Sequence, residues 1–169
     1  MRASGIILHI TSLPSPHGVG TLGAEAREFA DFLQKAGQKY WQILPLGPTG
    51  YGDSPYQTDS AFAGNPYLID LEELIADGLL TREEVESVPF GDDPKRVDYG
   101  ALYAGRFGLL RRAFERGWER ERENVDAFYR ENESWLRSYA LYTAAKRHFG
   151  MRPWIEWEDE DLRARRSKD

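Results

Sequence analysis

The sequence has no cysteine. That removes disulfides and thiolate chemistry, and it fits a reducing compartment. It also lacks any apolar run of the roughly 20 residues that a membrane-crossing helix needs. Met1-Arg2-Ala3-Ser4 leads straight into a strand-like run too short for a secretion signal with its flanks. The expectation is a cytoplasmic chain that does not enter a membrane. Positive charge is not in excess: 22 Lys and Arg stand against 28 Asp and Glu, a net charge of −6. Nucleic acid and anionic membrane are therefore not expected partners, whereas a neutral ligand is indifferent to that sign. No glycine-rich strand-to-helix turn has a phosphate-binding pattern, and no His or carboxylate spacing suits a metal. No cofactor and no metal are expected. Repeats and low-complexity tracts are missing as well.

What is present is an α/β pattern. Residues 5–10, Gly-Ile-Ile-Leu-His-Ile, are almost continuously apolar, as in a strand covered on both faces. A Pro/Gly/Ser loop follows over 11–22. Ala26, Phe29, Ala30 and Leu33 then recur at helical spacing, with Gly37 as a left-handed stop. Residues 40–44 give a second strand, which completes one βαβ unit. A short helix is expected near 71–77, and Thr81-Arg82-Glu83-Glu84 has the capping-box pattern that opens another. Two longer helices follow, capped by Asp98 and Asn124, and are expected to pack as an antiparallel hairpin. No third strand is legible. Two parallel strands leave two open edges, so the chain is expected to be the front part of a larger α/β protein.

The stretch 44–57 carries the functional signal. Pro45, Gly47, Pro48, Gly50 and Gly52 give the loop a defined shape at the carboxyl end of the second strand. On it sit Tyr51, Asp53, Ser54, Tyr56 and Gln57. Flat rings beside short hydrogen-bonding groups suit a polyhydroxylated ligand: ring faces meet C–H patches, and polar groups meet hydroxyls. A turn role remains open for Asp53, since Asp beside Gly often bonds its own backbone. Asp70, Glu72 and Glu73 read as a helix start. His9 reads as a satisfied polar group at a strand end. Arg111, Arg112, Arg116, Arg120 and Arg122 interleave with glutamates as a solvated, ion-paired helix face.

Residues 5–9, 11–16, 40–46, the loop above and Ser60-Ala61-Phe62-Ala63-Gly64-Asn65-Pro66 together resemble the N-terminal part of the amylomaltases, or 4-α-glucanotransferases. The resemblance covers residues 1 to about 150. It departs at Ile10, where the family more often has Pro. It implies a (β/α)8 barrel of which residues 1–70 supply the first two strands and the active-site loop, with 71–169 a mainly helical insertion. It also implies α-1,4-glucan as the ligand and transfer of glucan segments with retention. In barrels of this kind, loops at the strands' carboxyl ends build the site. By position, Tyr56 matches a tyrosine lining the subsite next to the nucleophile, and Ser54 a neighbouring active-site position. Tyr51 and Tyr103 match tyrosines facing a groove for a second stretch of glucan. A core tyrosine, a turn serine, an exposed loop aromatic and a core-stripe residue are the respective alternatives. Retaining cleavage needs two carboxyl groups about 5 Å apart. Those of the family lie on later strands that nothing here matches, so no catalytic residue is assigned. A non-catalytic glucan-binding module, a structural domain and part of an α-amylase-like hydrolase remain alternatives.

Overall fold

The computed structural model describes residues 2–50 and 52–164. Two parallel strands, β1 (Gly5–Ile7) and β2 (Tyr40–Gln42), pair with Gly5 opposite Tyr40 and Ile7 opposite Gln42. The ladder is extended by Leu8 N–H to the Gln42 carbonyl at 3.1 Å and Lys39 N–H to the Ser4 carbonyl at 2.9 Å. Both strands are shorter than the apolar runs that encode them. Ile10 opens a 3-10 turn (Ile10–Ser12) and buries its side chain there. Leu44 gives its N–H to the His9 ring instead of a neighbouring strand. Among the described residues no third strand joins the pair.

Helix α1 (Ala24–Lys35) links the strands and buries Ala26 and Leu33. Ala30 and Phe32 of the same helix stay exposed. Ile10, Leu13, Ala26 and Leu68 make one small core, with Phe29 and Trp41 packed edge to face against it. The β1–α1 loop is tied to the chain around residue 70. Leu22 N–H donates to the Leu68 carbonyl at 3.0 Å, and the Thr21 hydroxyl donates to the Asp70 carboxylate. Gly23 is needed at this contact, because a Cβ there would stand 2.1 Å from Asp70 Oδ2.

After β2 the chain runs irregularly to a 3-10 turn (Pro66–Leu68) capped by the Asn65 side chain. Helix α2 (Leu71–Ala76) is capped by Asp70, which accepts the Glu73 N–H at 2.9 Å. Helix α3 (Arg82–Glu86) opens on the expected capping box between Thr81 and Glu84. Leu71, Leu80, Val85, Leu109 and Ala113 form the core that holds these helices to the next one.

The expected hairpin is not there. A single helix, α4 (Tyr99–His148), replaces it. Asp98 does cap its start, accepting the Ala101 N–H at 2.9 Å. Asn124 lies inside the helix, its amide bonded to the Glu121 carboxylate. The residues between the two expected helices are chiefly Arg and Glu, good helix formers without a proline to stop them. Without the hairpin partner, Val125 and Phe128 are exposed.

The chain divides into two compact units at Arg120/Glu121. In the second, Trp157 stacks on Phe149 and lies near Tyr142, after the helix end marked by left-handed Gly150 and Met151. No helix among the described residues is long and apolar enough to cross a membrane.

Candidate ligand-binding site

A cavity of about 150 Å³ opens in the first unit, at the carboxyl ends of β1 and β2. His9, Thr11 and Ser12 come from the segment after β1; Leu44 and Pro45 follow β2. Thr49, Asp53 and Pro55 come from the loop that sequence singles out. Asn65 and Leu68 close it from the 3-10 turn, and Tyr99 from the first turn of α4. Ligands of parallel α/β proteins bind at this end of the strands.

Asp53 takes a left-handed backbone, φ 54°, directly after left-handed Gly52. Asp tolerates that region better than most side chains because its short polar group bonds locally. Thr49 donates to its carboxylate at 3.5 Å, and Thr49 also pairs across the loop with Thr58. Burial raises the Asp53 pKa, opposed by the Thr49 hydrogen bond. Burial likewise raises Tyr99. It pushes Tyr67, behind the cavity, up to about 12, so both rings keep their hydroxyl protons at neutral pH.

The floor of the cavity is held from behind. Arg106 of α4 is fully buried and donates from Nη2 to the carbonyls of Tyr67, at 3.2 Å, and Ile69. Its Nε and Nη1 are buried without a partner among the described residues. Burial lowers its pKa to about 10. Tyr67 packs between Tyr99 and Phe107.

Of the residues predicted from sequence, Asp53 lines the cavity. Ser54 sits beside it, its hydroxyl accepting the Tyr56 N–H at 3.4 Å. The Tyr56 side chain projects from the loop and is 72% exposed. Tyr103, on α4, is 59% exposed and meets Phe107 edge to face. Neither ring is among the groups lining the cavity. Tyr51 lies outside the described residues. From sequence, His9 reads as a satisfied polar group, and Asn65 and Tyr99 are given no part in the site. For His9 the signal was its place at a strand's carboxyl end; Asn65 and Tyr99 come to the cavity only through the fold.

Strand ends, a shaped loop and a lining of hydroxyl, amide and carboxyl groups mark an α/β protein with a polar cavity at the carboxyl ends of its parallel strands. Over residues 8–169 the chain matches the 4-alpha-glucanotransferase family model, and it belongs to that family. It is 47% identical over 167 residues to the 4-alpha-glucanotransferase of Streptococcus pneumoniae serotype 4, a match covering 98% of this chain and 33% of that protein. It is 53% identical over 160 residues to the enzyme of Thermus thermophilus, covering 92% of this chain and 31% of that protein. Among solved structures, the amylomaltase from Streptococcus agalactiae in complex with acarbose superposes with a TM-score of 0.90 at 43% identity. That superposition covers 95% of this chain and 33% of the other. The chain thus spans about a third of the length of these relatives.

Proposed function

We propose that this chain is the N-terminal part of a cytoplasmic 4-α-glucanotransferase, supplying glucan contacts to a site completed by further (β/α) units. β1 and β2 are the first two strands of the barrel, and the segment from about residue 71 is its mainly helical insertion. The whole enzyme cuts an α-1,4-glucan, holds the donor part as a glycosyl-enzyme, and passes it to the 4-hydroxyl of an acceptor glucan. Two carboxyl groups perform that double displacement. Asp53 is the one carboxyl group lining the cavity among the described residues, and it is assigned to binding.

The observation that carries this reading is the polar cavity at the carboxyl ends of β1 and β2. Asp53, half-buried in the cavity lining and bonded by Thr49, accepts hydrogen bonds from sugar hydroxyls. Ser54 supports the backbone that presents Tyr56. Tyr56 offers an exposed aromatic face and its phenol hydroxyl to a bound sugar. Tyr103, together with Tyr51, serves a second stretch of the same glucan. The test uses the full-length enzyme and maltotriose disproportionation. Tyr56→Phe lowers turnover more than Tyr51→Phe does, because only Tyr56 is assigned to the reacting sugar. Equal losses of turnover in the two variants contradict that division of roles.

A further inference from the structure

His9 is held by one nitrogen only. Its Nδ1 accepts the Leu44 N–H at 3.3 Å. A ring nitrogen that accepts a hydrogen bond carries no proton, so the neutral ring must carry its proton on Nε2. The backbone of the β2 loop thereby sets the tautomer. Nε2 has no hydrogen-bond partner among the described residues, and the half-buried ring lines the cavity. Partial burial also lowers the His9 pKa, which favours the neutral ring.

We infer that His9 is a ligand-contacting residue: its Nε2–H donates a hydrogen bond to a glucan hydroxyl in the cavity, while its Nδ1 anchors the loop that follows β2. The chemistry selects the ligand group. In this tautomer His9 can only donate from Nε2, whereas ionised Asp53 in the same cavity can only accept. A ligand satisfying both must present groups that accept and donate. Hydroxyls do both; a carboxylate or an ammonium does one. Thr11, Ser12 and Asn65 add further donors and acceptors to the same lining. This assignment rests on the glucan reading above.

The two roles of the ring separate by substitution in the full-length enzyme. His9→Asn places an amide oxygen near the position of Nδ1, keeping an acceptor for Leu44 but losing the Nε2 donor. His9→Gln reaches the position of Nε2 with an amide nitrogen and gives up the anchor. The probe is acarbose, and its Kd is measured by calorimetry. His9→Asn weakens binding about threefold to tenfold, the value of one neutral hydrogen bond. His9→Gln keeps affinity nearer to wild type while melting at a lower temperature. Histidine 15N shifts of the wild type add readouts that need no variant to fold. The free enzyme shows the Nε2–H tautomer, and saturating acarbose shifts the Nε2 resonance. An Nδ1–H tautomer, an unmoved Nε2 resonance, or unchanged affinity in His9→Asn overturns the assignment of His9 alone. A wild-type enzyme that does not bind acarbose overturns the glucan reading and this contact with it.

Discussion

The residue that most repays attention outside the cavity is Arg106. A buried guanidinium normally meets a carboxylate, since desolvation of an unpaired charge costs several kcal/mol. Here Arg106 donates to two carbonyls, and two of its nitrogens are unpartnered among the described residues. Those carbonyls belong to the segment that carries Leu68 into the cavity wall. Removing the charge relieves desolvation but strands the buried Tyr67 carbonyl, at about 1–3 kcal/mol, and frees the part-buried Ile69 carbonyl at a smaller cost. Arg106→Met is therefore expected to destabilise the protein. Arg106→Lys is expected to do so at least as much, because a strongly hydrated ammonium stays buried without a planar fork to serve both carbonyls. Thermal unfolding midpoints of the two variants give the order, and a lysine variant as stable as wild type contradicts it. In sequence, Arg106 is one arginine among several on a helix, and its burial is not visible there. Asp53 was legible, because a Gly-Asp pair on a proline-rich loop marks a shaped turn. His9 was not, since a lone strand-end histidine looks the same whether its second nitrogen is sealed or free.

At the scale of elements, local chemistry was legible wherever a local bond decides the outcome. The Thr81–Glu84 capping box, the Asp98 cap and the left-handed stop at Gly37 all stand where the sequence puts them. The break expected at Asn124 failed because a capping residue is permissive: it does not end the helix before it, and no proline interrupts that stretch. The Arg/Glu face of α4 was half legible. Arg111 pairs with Glu115 along the helix at 2.7 Å, but Arg112 and Arg116 reach across to Glu84 of α3 at 2.9 and 2.7 Å. Hydrogen bonds from Arg116, then from the Thr81 backbone, lower the Glu84 carboxyl from its ordinary 4.5 to about 2. A carboxyl lowered in the folded state contributes stability that is full above 4.5 and is lost as pH falls toward 2. Glu84→Gln keeps a side chain able to complete the capping box but loses the charge. The variant should lack the wild type's loss of α3–α4 packing over that interval, followed by near-ultraviolet circular dichroism during acid titration. A Glu84 carboxyl that titrates near 4.5 by NMR rules this out.

For the whole molecule, the sheet is where the expected burial and the observed burial part. A run as apolar as Gly5 to Ile10 reads as a strand covered on both faces, yet Ile7 is 67% exposed and Tyr40 opposite the start of β1 is also 67% exposed. Two parallel strands cannot cover each other, and the apolar surface of this pair faces solvent. Retaining transfer needs a nucleophile and an acid/base on opposite sides of one glycosidic bond. The cavity offers Asp53 as its lining carboxyl group, and local burial raises its pKa without supplying a second acid beside it. A polypeptide of these 169 residues is therefore expected to release no glucose from maltotriose beyond the rate of buffer alone. On the function proposed above, the full-length enzyme, assayed in parallel, is expected to make glucose and longer maltooligosaccharides. Comparing the two by chromatography of the products isolates the contribution of the remaining strands. Transfer products from the 169-residue polypeptide would mean that a second carboxyl group of this chain reaches the cavity, and Asp53 would then be the first candidate for a catalytic role.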